Sequence, residues 1–196
     1  PEVRMMLVSY AAMEAVHQEA YSLLLETLGK SEDMYQEFFD IHAMMEKHEY
    51  LQDFSMETPF DMAKTMAVYS AFTEGVQLFS SFAILLNYPR HNLMKGMGQI
   101  VTWSIRDESL HVEGLSKLFR TFMQENPELW TDKLKYEIYC AAEKTVELED
   151  NFIDICFDKA DVPDLTAKEV KEYIRYIADR RLLGIGMKKI FHSTEN

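Results

Sequence analysis

Glycine and proline are scarce in this chain, seven and five among 196 residues. That is too few to build a fold from tight turns and hairpins, and it excludes a collagen-like or loop-rich chain. Cysteine is scarcer still, with only Cys140 and Cys156. They have neither zinc-ligand nor redox-motif spacing. They lie over about four turns apart on one predicted helix, too far to bridge, so a reduced, cytoplasmic setting is expected. Positive charge is also short: 20 Lys and Arg against 33 Asp and Glu give a net charge of -13. Such a chain is a poor match for nucleic acid or an anionic membrane surface, both of which select basic faces. The longest apolar run, Met66 to Leu86, is interrupted by Glu74, so no membrane span is expected. The N-terminal Pro1-Glu2-Val3-Arg4 carries no signal-peptide pattern.

What the chain does have is long apolar periodicity. Hydrophobic residues make up 47%, and the length suits one domain, residues 1–196, with a sizeable core. The few glycines and prolines fall at the joints, which predicts an all-α layout. A first helix runs from about Val3 to Leu28 and stops at Gly29, a left-handed C-cap. After polar residues Lys30 to Asp33 a shorter helix ends near Tyr50. Thr58 then caps a third helix, with Pro59 at its first position and Asp61 serving the exposed amides. That helix continues to about Leu86 and breaks at Asn87-Tyr88-Pro89. A fourth spans Asn92 to Gln124 and a fifth Thr131 to Phe157. A capping box from Thr166 to Glu169 opens a sixth, which frays at Gly184 and Gly186. Helices this long predict an extended bundle rather than a globin-like stack.

One motif occurs twice. Glu14-Ala-Val-His17 and Glu108-Ser-Leu-His111 each place a carboxylate and an imidazole three residues apart, on one face of a helix. Each sits in an apolar stripe: Leu7, Tyr10, Glu14, His17, Tyr21, Leu24 and Leu28 in the first, and Val101, Ser104, Glu108, His111, Leu115, Leu118 and Phe122 in the second. Alone, such a pair is more often a solvent-facing contact. Two copies on faces predicted to be buried must be paired or hold metal, because an isolated buried carboxylate is costly. Two Glu-x-x-His helices joined by glutamates from other helices are the ligand set of carboxylate-bridged di-metal bundles, and Glu74 is the third candidate. Oxygen and imidazole donors suit iron or manganese.

Tyr21 lies one turn beyond His17 on the same face, which brings a phenol near the candidate metals. Asp107 adjoins Glu108 and could accept the second N–H of His17 across the bundle, or else pair with Arg106 at the surface. Trp103, Trp130 and the stretch Met94 to Met97 read as core or interface packing. His42, His48, His91 and His192 lack a glutamate three residues before them and read as surface or loop histidines.

The stretches Glu14 to Tyr21, Glu74-Gly-Val-Gln-Leu-Phe-Ser-Ser-Phe82 and Arg106-Asp-Glu-Ser-Leu-His111 resemble the metal-binding helices of the class I ribonucleotide reductase small subunit. The similarity runs over nearly the whole chain, including the region from Tyr173 to Gly186. It implies a ferritin-like helical bundle in which Glu14, His17, Glu74, Glu108 and His111 bind two iron ions, or two manganese ions. It further implies that Tyr21 is oxidised to a stable radical and that Asp107 hydrogen-bonds a metal-bound histidine on the electron and proton route to the large catalytic subunit. That partner makes deoxyribonucleotides, and the small subunit is a homodimer. In the family a sixth carboxylate ligand and a tryptophan of the transfer route precede the part that begins here, and a docking tail follows the part that ends here. The chain therefore resembles the middle of the subunit. Around the tyrosine, Leu78 and Ser104 stand where the family often has Phe and Ile.

Three other readings compete. A ligand-binding oxidase of the same fold would hold manganese and iron with a fatty acid in its cavity. A ferritin-like iron-binding protein would show carboxylates leading to a shell interior, and a metal-free helical module would take up no metal.

Overall fold

The computed structural model describes residues 1–193. Eight α-helices follow in order: α1 (Glu2–Thr27), α2 (Met34–Asp40), α3 (His42–Gln52), α4 (Pro59–Val68), α5 (Phe79–Arg90), α6 (Lys95–Glu125), α7 (Asp132–Lys159) and α8 (Ala167–Gly184). Local chemistry sets several of their ends. Thr58 accepts the Asp61 N–H at 3.1 Å while the Asp61 carboxylate accepts the Thr58 N–H at 3.2 Å. Thr166 and Glu169 repeat this reciprocal cap on α8, and Gly29, at φ +68°, turns the chain out of α1.

The six predicted helices differ from the observed ones in three places. The short second helix divides into α2 and α3 at Ile41, whose backbone is extended. The third is interrupted by a π-helical turn over Tyr69–Thr73 and by irregular residues 74–78. It also runs through Pro89 to Arg90 instead of breaking at Asn87. Proline is tolerated there because it falls in the last turn. Its ring packs on Gly98 of α6, where a Cβ would come within 2.3 Å of the Pro89 Cγ.

α6 lies at the centre, packed on α4 and α5 along one flank and on α1 along another, while α7 packs on α3, α4 and α8. The core is built by α4 to α8 and includes Phe72, Phe119, Leu134, Ile138, Ile153, Ile174 and Leu182, all fully buried. α1 departs from expectation. No residue in it is buried, and Leu7 and Leu28, predicted to lie in its buried stripe, are exposed. Its main support is α6 alone, so a stripe wide enough for two neighbours meets one. Trp103 is likewise exposed rather than in the core, whereas Trp130 is half-buried against Phe119. Of the methionine stretch, Met97 is buried and Met94 exposed. Cys140 and Cys156 are free. Among the described residues no helix is long and apolar enough to cross a membrane.

Candidate metal centre

The two Glu-x-x-His pairs meet where α1 crosses α6. Glu108 stands between two imidazoles: its Oε1 is 3.4 Å from His17 Nδ1 and its Oε2 is 3.7 Å from His111 Nδ1. Glu14 Oε1 approaches the same two nitrogens, at 3.5 Å and 3.3 Å. Glu74 Oε2 lies 3.3 Å from His111 Nδ1. All five predicted ligands therefore converge, each histidine turning Nδ1 inward. Glu14, Glu108 and His111 alone present donor atoms within 4.8 Å of one another, close enough to hold a metal ion.

The outward nitrogens have unlike partners. His17 Nε2 faces Asp107 Oδ2 at 3.3 Å. Asp107 also accepts from Arg106 Nε at 3.2 Å through its other oxygen, so both sequence readings of this residue are realised together. Among the described residues the polar contact of His111 Nε2 is the Met13 thioether sulfur, at 3.3 Å, and its ring lies against Tyr10 with centroids 4.2 Å apart.

Glu74 reaches the cluster from the break between α4 and α5. The Phe79 N–H bonds the Val76 carbonyl, leaving that of Gly75, which instead accepts from Arg181 Nε of α8 at 3.0 Å. The Gln77 carbonyl accepts from Lys47 Nζ of α3 at 2.9 Å. Lys47 also pairs with the fully buried Glu149 of α7, which accepts a hydrogen bond from Ser80. Gly75 is required, because a Cβ would come within 2.1 Å of the Ala71 carbonyl oxygen. Two cationic side chains from distant helices thus hold the backbone just after Glu74.

The electrostatics fit a cation-binding site. Burial, and then the charges of Glu14, Glu74 and Asp107, push Glu108 up to about 8. Burial and Glu14 push Glu74 up to about 7, while burial lowers His111. Glu74 Oε2 and His111 Nδ1 are both buried without a hydrogen-bond partner, although they lie 3.3 Å apart. Hard oxygen and imidazole donors arranged in this way fit divalent iron or manganese.

Tyr21 half-buries its ring beside the cluster, and its hydroxyl hydrogen-bonds Ser104 Oγ at 3.0 Å. Burial raises its ionisation range, opposed by that hydrogen bond. A cavity of about 650 Å³ lies between Tyr21, Leu25, Leu78, Phe82, Leu85 and Glu108. Phe82 is buried, whereas Leu78, which stands where the family often has Phe, is exposed. His42, His91 and His192 lie on helix surfaces or loops, whereas the exposed His48, bonded to Gln52, lines a cavity that Glu14, Glu74 and Glu108 also line.

A family model described as "Ribonucleotide reductase, small chain" matches residues 1–196. This chain belongs to the ribonucleotide reductase small-chain family. It is 43% identical over 214 residues to a protein of Invertebrate iridescent virus 3 named a probable ribonucleoside-diphosphate reductase small subunit, covering 100% of this chain and 57% of that one. The ribonucleoside-diphosphate reductase subunit beta of Chlamydia pneumoniae is 32% identical, over 98% of this chain and 59% of its own. The chain thus spans somewhat over half the length of these curated relatives. The ribonucleotide reductase R2 subunit of Clostridium botulinum shares the fold, with a TM-score of 0.90, 19% identity, and coverage of 100% of this chain and 64% of that one. The dimanganese(II)-NrdF structure of Streptococcus sanguinis matches at a TM-score of 0.77 and 26% identity, over 92% and 62%. The ferritin-like bundle expected for a small-chain protein is therefore the observed architecture.

The sequence reading missed the Met13 and Tyr10 contacts to His111, the Lys47–Glu149 pair and the π turn. The first three join residues far apart in sequence and have no local pattern. Gly75 directly after a ligand candidate was the one available signal for the irregular backbone.

Proposed function

We propose that this small-chain protein is the metal-holding centre of a ribonucleoside-diphosphate reductase small subunit. Glu14, His17, Glu74, Glu108 and His111 would hold two ions. Iron is the leading choice, and manganese is supported by the dimanganese relative. When bound, the ions supply the one-electron oxidising power drawn from dioxygen. The observation that carries the reading is the pair of buried, unpartnered donors, Glu74 Oε2 and His111 Nδ1, beside a Glu108 whose two oxygens face separate imidazoles.

The chain's own residues supply the rest. Tyr21 is the side chain oxidised to the radical, and the buried Phe82 lines the same cavity beside it. Asp107 holds His17 in the tautomer that leaves Nδ1 free to ligate and starts the route by which an electron and a proton pass to the large subunit. That partner reduces ribonucleotides to deoxyribonucleotides in the cytoplasm. Val3, Met5, Leu7, Val8, Val16 and Leu23 leave an exposed apolar face along α1, and this supports the homodimer.

The test uses the full-length protein loaded with Fe(II) or Mn(II) and exposed to oxygen. Metal analysis is expected to give two ions per chain, and electron paramagnetic resonance a tyrosyl radical that Tyr21→Phe abolishes at equal metal content. A radical undiminished in the Phe variant would place the oxidised residue elsewhere. The 650 Å³ cavity favours one alternative, a ligand-binding manganese and iron oxidase. That reading requires a mixed-metal centre active without Tyr21 and an apolar ligand recovered with the protein.

A further inference from the structure

The Tyr21 oxygen has a partner whose own bonding is constrained. Ser104 Oγ lies 3.0 Å from the phenol oxygen and 3.2 Å from the Ile100 carbonyl oxygen, four residues earlier on α6. A serine hydroxyl carries one proton, and a carbonyl can only accept. Both contacts are hydrogen bonds only if Ser104 donates to Ile100 and Tyr21 donates to Ser104. Ser104 is buried, and among the described residues no other polar group hydrogen-bonds the Tyr21 oxygen.

We infer that Ser104 is a positioning residue for Tyr21 that reverses its role on oxidation, accepting from the phenol and donating to the phenoxyl oxygen. This rests on the reading of Tyr21 as the radical residue. In the oxidation the phenol O–H bond breaks, and one electron and one proton leave Tyr21 and are taken up in the reduction of dioxygen toward water. The oxygen left behind can only accept. If Ser104 kept its proton on Ile100, two oxygen lone pairs would face each other in a buried pocket, where an unmet acceptor is costly. Rotation about the Cβ–Oγ bond of Ser104 removes that conflict by exchanging the Ile100 hydrogen bond for one to Tyr21. Back-bonding of a helical serine to the carbonyl four residues earlier is weak and readily given up.

High-field electron paramagnetic resonance and deuterium electron-nuclear double resonance on the full-length, metal-loaded, oxygen-treated protein decide this. In D2O the wild-type radical should show one strongly coupled exchangeable deuteron. Ser104→Ala should lose that coupling and move the largest g component upward, and Ser104→Thr, which keeps the hydroxyl, should restore both. A wild-type radical with no exchangeable coupling, or a coupling that survives Ser104→Ala, overturns the inference and leaves the proposed function standing. If Ser104→Ala fails to load metal, the wild-type spectrum alone decides. A protein that forms no Tyr21 radical overturns the proposed function, and this inference with it.

Discussion

On α6, the Glu108 and His111 side chains are 4% and 0% exposed, in a helix with nine buried residues. On α1, the Glu14 side chain is 49% exposed, in a helix that buries none. The motif is the same, and its physical consequences are not. Burial raises the proton affinity of Glu108 and leaves His111 Nδ1 without a hydrogen bond, so a carboxylate on the α6 half gains more from a neighbouring positive charge than one on the α1 half. The histidines differ in the same sense: His17 faces a carboxylate and His111 a thioether. Spacing aims ligands at a point, and packing decides how strongly they need what is put there.

The largest expected effect comes from removing the carboxylate that faces both imidazoles. Glu108→Ala should reduce the metal content of the full-length protein to nearly none by elemental analysis, whereas Glu14→Ala, at the exposed edge, should retain part of it. Equal losses would erase the contrast between the halves.

Protons compete for the same groups. Glu108 and Glu74 are raised above the ordinary carboxylate range, to about 8 and about 7. Without metal, their contribution to folding is fully present below the unfolded carboxylate pKa and is lost as pH rises through 7 to 8. Metal affinity runs the other way because binding displaces those protons, so Mn(II) affinity should rise by up to ~100-fold per pH unit below about 7 and level off above about 8. Titration followed by electron paramagnetic resonance checks the slope, and urea unfolding of metal-free protein checks the opposite trend in stability.

The rigid half also depends on backbone held from outside. Lys47→Met leaves Glu149 buried and unpaired, with an expected loss of about 3–5 kcal/mol in urea unfolding. It also frees the Gln77 carbonyl, so amide exchange should quicken over residues 74–79 before it does in α7.

Smaller effects sharpen the comparison of the two histidines. Asp107→Asn should weaken metal binding by roughly 10–100-fold. Met13→Leu, which removes only a weak sulfur acceptor, should weaken it a few-fold at most. Smallest of all, Val16→Ser on exposed α1 should change the stability of this chain by within about 0.5 kcal/mol. A loss above about 1 kcal/mol in the full-length protein would show that the apolar face of α1 is covered there.

Much of this was legible before any coordinates. The capping boxes at Thr58 and Thr166 could be read because their bonds close within four residues. The convergence of Glu14, His17, Glu108 and His111 followed from a three-residue spacing that any α-helix turns to one face. Glu74 could be named as a candidate, but the backbone that delivers it could not. The irregular backbone over residues 74–78 depends on which distant cations take up the freed carbonyls of Gly75 and Gln77, here Arg181 and Lys47. The burial of α1 was overestimated because an apolar stripe records what a helix can cover, not what lies against it.

The sequence by itself determined the all-helical class, the capped starts at Thr58 and Thr166 and the residue types at the centre, since these depend on periodicity and on contacts within a turn or two. Only the tertiary structure decided that His17 meets Asp107, that His111 meets Met13 and that Tyr21 meets Ser104. These partners lie 90, 98 and 83 residues apart, and no local pattern carries such a pairing. It arises when α1 settles against α6 at one register, which the close approach of Tyr10 to the side-chain-free Gly114 permits; there a Cβ would come within 1.9 Å of the phenol oxygen.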